Sequence, residues 1–118
     1  MSGADEHESR PTIIVPTRRF DALGIDVNVQ TLACLDVQGY EWNVLAGAQT
    51  LCGPMTLEFW PHGLARAGKL EEFIDRVAVA GDVFDLTHDG RAATRADLLD
   101  IAADRDLHIC DLLVLPHR

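Results

Sequence analysis

The sequence predicts a layered α/β domain, and three observations carry that prediction. Short apolar runs of strand length alternate with stretches whose apolar residues recur at helical spacing. Glycine and proline fall at most of the junctions between them. Hydrophobic residues at 47% and charged residues at 25% form an ordinary globular balance, and 118 residues suffice for one small domain. Such alternation argues for parallel strands joined by right-handed crossovers, while the modest last connection is compatible with an antiparallel final strand.

The elements follow in order. Residues 1–11, beginning MSGADEHESR, are polar and acidic and read as a disordered tail; residues 12–118 form the domain. Thr12 to Val15 is a β-branched run stopped by Pro16, after which Thr17 is placed to cap a brief helical turn through Phe20 and Leu23, ended by Gly24. Thr31 to Val37, TLACLDV, is nearly continuous in apolar residues and reads as a strand covered on both faces, with Gly39 permitting a tight exit. From Tyr40, the residues Val44, Leu45, Ala48, Leu51 and Cys52 share one helical face, and Gly53-Pro54 ends it. Gly47 within that helix suggests close approach to the sheet.

Met55 to Trp60 is the next strand, stopped by Pro61 and opening into a loop at His62-Gly63. Leu70, Phe73, Ile74, Val77 and Ala78 mark the clearest helix, with Gly81 placed as its C-cap. Val83 to Thr87 is a strand and His88-Asp89-Gly90 a turn. Thr94 with Asp97 three residues on resembles a capping box opening a helix through Asp104. Leu107 to Pro116 is the final long apolar strand.

Composition excludes several classes of function. A net charge of -9 and a pI near 4.7 argue against a nucleic-acid partner. No apolar run reaches membrane-spanning length and no signal peptide opens the chain, so a cytoplasmic location is expected. Cys34, Cys52 and Cys110 make neither a disulfide framework nor a C-x-x-C unit and read as buried free thiols. His88, His108 and His117 fall in no metal-ligand spacing, and no G-x-S-x-G elbow is present.

LACLDVQGYEWNVLAGAQTL, residues 32 to 51, resembles the core signature of the FkbM family of S-adenosylmethionine-dependent methyltransferases. Asp36, Val37, Gln38, Gly39, Glu41, Val44, Leu45, Gly47 and Ala48 stand at the motif positions. VPTRRFDAL upstream is similar to the family's T-L-D segment, with a longer spacing between Thr17 and Asp21, and TLEFWPHGLARAG downstream to its acidic strand end and Pro-containing loop. The resemblance spans roughly residues 12 to 87. It implies a partial Rossmann-like class I methyltransferase sheet, strands four to seven with flanking helices and an antiparallel last strand. It also implies S-adenosylmethionine as cofactor and O-methylation of a small-molecule or sugar acceptor. Cys34 replaces the family's lysine, and no glycine-rich cofactor loop precedes Asp36. The implied piece is therefore a truncated, carboxyl-terminal half, whose Leu32–Val37 edge would be left unpaired. A homodimer or a complementing chain would cover that edge. A non-catalytic α/β module that dimerises through the same edge is the alternative.

Three residues are the candidate catalytic set. Asp36, at a strand end, is placed either to orient and deprotonate an acceptor hydroxyl or to cap the following helix. Glu58, in an apolar strand, must face a cleft or hold a partner, and with Asp36 would line one pocket where one carboxyl is pushed upward. His62, just past that strand, reads as a base or as a surface residue. Glu41 reads as first-turn helix charge, and Trp42 and Trp60 as packing residues.

Overall fold

Period-two alternation along the strands dictates a sheet with one strongly apolar face, and the computed structural model has that sheet. It describes residues 11–37, 39–104 and 109–117. The tail up to Arg10, Gln38 of the motif, and Leu107 and His108 of the expected last strand lie outside them. Strands β1 (Ala33–Leu35), β2 (Met55–Phe59), β3 (Gly81–Asp85), β4 (Arg91–Ala92) and β5 (Cys110–Pro116) form a five-stranded mixed sheet in the order β1-β2-β5-β3-β4. β1 pairs with β2 in parallel, β5 runs antiparallel to both β2 and β3, and β4 is antiparallel to β3.

The register sorts side chains into rows. Ala33, Met55, Val114 and Val83 stand in one row, and Leu35, Leu57, Leu112 and Asp85 in the next. These rows face helices α1 (Glu41–Gly47), α2 (Pro61–Arg66), α3 (Leu70–Ala80) and α4 (Arg95–Ala103). Leu45, Leu64, Phe73, Ile74, Val77 and Leu98 join Met55, Leu57, Phe59, Leu112 and Val114 in a single core. Phe59 and Phe73 stack at its centre, with centroids 5.7 Å apart and planes 1° from parallel. Cys34, Thr56, Leu113 and Phe84 form a row on the opposite face and stay outside that core.

Local chemistry explains the ends of the elements. Thr94 Oγ1 accepts from the Asp97 N–H while the Asp97 carboxylate accepts from the Thr94 N–H, so the expected capping box opens α4. Phe20–Leu23 forms a 3-10 turn ended by left-handed Gly24, but its N-cap is Arg19 and no side chain caps it, so Thr17 does not have the role expected of it. Asp21 instead accepts from the Gln49 and Thr50 N–H groups, and Arg19 donates to the Ala46 carbonyl. Those bonds tie the turn to the end of α1, and they hold the Asp21 carboxyl below its usual range.

Several expectations are corrected. Thr12–Val15 is not a strand: Ile13 and Ile14 are exposed, and β-branched propensity alone does not pair a segment with a sheet. The Thr31–Val37 run pairs over Ala33–Leu35 alone, and its second face is uncovered: Leu32 is 58% exposed and Cys34 is exposed. Cys52 is exposed as well, so of the expected buried thiols only Cys110 is one. α1 ends at Gly47 rather than continuing to Cys52, and the nearest neighbour of Gly47 is Arg19, not the sheet. The His62-Gly63 loop is instead the first turn of α2, since Pro61 both stops β2 and serves as N1 of a helix. β4 was not foreseen; Asp89 and Gly90, both at positive φ, turn the chain back along β3. Among the described strands only β1 and β2 form a parallel pair, because β5 separates β2 from β3. No described helix is long and apolar enough to cross a membrane.

Gly81 is the first residue of β3 in extended conformation, not a left-handed cap. A Cβ there would overlap the Leu115 carbonyl of β5. Gly81→Ala is therefore expected to lower unfolding free energy by about 2–3 kcal/mol, the cost of forcing backbones apart in a packed region. Thr94→Ala should cost about 1 kcal/mol through the lost cap. Urea unfolding checks both, and an unchanged midpoint in Gly81→Ala would contradict the close approach.

Candidate functional site

The carboxyl ends of β1 and β2 gather carboxylates. Asp36 follows β1 directly and is exposed, and Glu58 sits half-buried in β2 on the face that the helices leave open. The register sets Glu58 opposite Asp111 of β5. Glu41, expected to be simple helix charge, is 4% exposed, and its Oε2 accepts from the Gly39 N–H at 2.9 Å. A buried carboxylate is thus satisfied by the backbone of the loop that leaves β1. Gly39 itself has φ 100°, a conformation that disfavours any other residue.

Burial pushes the Glu58 carboxyl above its ordinary value, and the charges of Asp36, Glu41 and Asp111 push it in the same direction. His62 lies exposed in the first turn of α2, its ring 6.4 Å from that of Trp60. Trp60 is a half-buried packing residue: a Cβ on Gly39 would come within 3.1 Å of its ring, and a Cβ on Gly63 would overlap it. The indole thereby lies against the bare backbone of both Gly39 and Gly63 and links the β1 exit to α2. Trp42 packs at the core margin with Lys69 Nζ 5.8 Å over its ring.

A second cluster is not among the candidates read from the sequence. Asp85, His88 and Cys110 place their ligand-type atoms within 4.8 Å of one another. Asp85 Oδ2 and His88 Nδ1 are hydrogen-bonded at 2.6 Å. Burial, and then the charges of Asp85 and Asp111, push the Cys110 thiol up to about 11, so it is not a free nucleophile. The Asp-x-x-His spacing across a turn was the only signal in the sequence; Cys110 reaches the pair through the pairing of β5 with β3.

The chain was compared with protein-family models, with curated proteins and with solved structures, and nothing in any of the three matches it.

The raised Glu58 carboxyl has a consequence for stability. The folded chain binds this proton more tightly than the unfolded chain, so stability falls as pH rises from the ordinary glutamate value of 4.5 through the raised folded value. Glu58→Gln removes the titration and the like-charge pair with Asp111. It is expected to flatten that fall and to be more stable than the parent at pH 7 by about 0.5 kcal/mol. Denaturant midpoints between pH 4 and 8 check it; equal slopes in both proteins would contradict the coupling.

Proposed function

We propose that these residues form the acceptor-facing part of an S-adenosylmethionine-dependent methyltransferase of FkbM type, acting on an oxygen of a small molecule or sugar. The observation that carries this reading is the position of β1. Among the described residues, the strand that delivers Asp36 is the outermost of the sheet and has a hydrogen-bonded neighbour on its β2 side only. That is where the resemblance sets a fourth strand whose other neighbour belongs to the donor half. On this reading β1, β2, β3 and β5 are the fourth to seventh strands of a Rossmann-like sheet, and the antiparallel β5 supports the assignment.

When bound, S-adenosylmethionine supplies an activated methyl carbon beside a positive sulfur. The residues present fit the acceptor side of that chemistry. Asp36, Glu41, Glu58 and Asp111 put negative charge at the strand ends, which favours a cationic neighbour. Asp36 orients the acceptor hydroxyl, Glu58 or His62 takes its proton, and the Trp60 brace holds the loop that sets their spacing. The donor grip does not fit: the sequence has no glycine-rich loop before Asp36, so affinity for the cofactor should be weak.

The unpaired β1 edge, with Leu32, Cys34 and Val37 exposed along it, favours a second reading. In that reading the chain is a non-catalytic α/β module dimerising through this strand. Calorimetric titration with S-adenosylmethionine, paired with molar mass from light scattering, separates the two. Weak cofactor binding is expected, with methyl glycosides shifting the NMR amide signals of Asp36, Gly39 and Glu58 and Glu58→Gln abolishing those shifts. Tight cofactor binding by a monomer would contradict the missing-loop argument. A stable dimer that binds neither ligand would favour the module.

A further inference from the structure

The geometry points to a three-ligand site for a zinc-type divalent ion, built by Asp85, His88 and Cys110 with its fourth position open to a groove beside α4. It is independent of the methyltransferase reading. Carboxylate oxygen, imidazole nitrogen and a cysteine sulfur, whose thiol proton is released to solvent on metal binding, are a donor set suited to zinc rather than to magnesium or calcium, which take oxygen ligands. The three ligand atoms already lie within 4.8 Å of one another, where tetrahedral zinc requires separations of roughly 3.3–3.7 Å. Asp85 Oδ2 and His88 Nδ1, at 2.6 Å, need only open slightly to admit the ion in place of the hydrogen bond between them.

The support around these atoms is also in place. Asp85 is 5% exposed, and its other oxygen, Oδ1, accepts from the Thr87 and His88 N–H groups at 3.0 and 3.2 Å. Two backbone donors thus hold one carboxylate oxygen and present the other, which is how supporting hydrogen bonds orient a metal ligand. Cys110 approaches from the buried side, and His88, half-exposed on the β3–β4 turn, from the solvent side. A cavity of about 340 Å³ reaches Asp85 and His88 and is also lined by Arg91, Asp97 and Asp100. A site with three protein ligands beside such a groove is the arrangement that leaves one position for water or a small anionic or hydroxylated ligand.

Cobalt(II) titration of the full chain tests this directly, in a Cys34→Ser, Cys52→Ser background that removes both exposed thiols. One equivalent is expected to bind with a sulfur-to-cobalt charge-transfer band and the visible absorption of a tetrahedral ion, and zinc should displace it. Cys110→Ala should lose the charge-transfer band with circular dichroism unchanged. His88→Ala should weaken binding by at least about 100-fold, the upper range for losing a mere supporting partner. If Cys110→Ala fails to fold, the His88→Ala affinity and the parental band still decide the matter. Absence of the band in the double-serine background, its persistence in Cys110→Ala, or unchanged affinity in His88→Ala would each overturn the site.

Discussion

The double pairing of β5 is the constraint on which the rest of the structure rests. Cys110–Pro116 is hydrogen-bonded to β2 on one side and β3 on the other, and β1 and β4 are attached only through those two strands. Its alternation places Cys110, Leu112 and Val114 beneath the helices, so one strand supplies both the backbone continuity of the sheet and the middle of the core. Such a strand tolerates little displacement. The bare backbone of Gly81 against the Leu115 carbonyl shows how near β3 comes to it.

From that pairing follows the position of the carboxylates. Because β5 runs antiparallel, Asp111 comes to stand opposite Glu58, and the two acids share the face without helices. Glu41 adds its charge from the start of α1 and Asp36 from the end of β1, so Glu58 holds its proton more tightly than a solvated glutamate. The packing of Trp60 on Gly39 and Gly63 keeps this end of the sheet in one arrangement. Rigid backbone thereby defines the spacing of flexible acids, which is the condition for any oriented chemistry there.

The second cluster depends on the same strand. Asp85 belongs to the row of Leu35, Leu57 and Leu112, where a carboxylate is costly unless it is satisfied. The turn that follows satisfies it with two N–H groups and an imidazole, and β5 brings the Cys110 sulfur to the same place. Acidic groups on the two strands that flank β5 thus have different surroundings: like charges around Glu58, donors around Asp85.

Reading along the chain reached the elements whose signals are local. The helical spacing of Leu70, Phe73, Ile74 and Val77, the Thr94–Asp97 capping box, the Gly24 stop and the apolar runs that became β2 and β5 all depend on residues within a turn or two of one another. Asp36, Glu58 and His62 stand out as candidates for the same local reason, as polar residues within or just past apolar runs. What a segment pairs with is not written within it. Thr12–Val15 has the composition of a strand and joins no sheet, Cys34 lies in an apolar run yet is exposed, and Gly81 resembles a cap but serves a neighbouring backbone. Long-range contact likewise made Asp111 the partner of Glu58 and brought Cys110 to Asp85 and His88, since register and strand order are properties of the assembled sheet and not of any one stretch of chain.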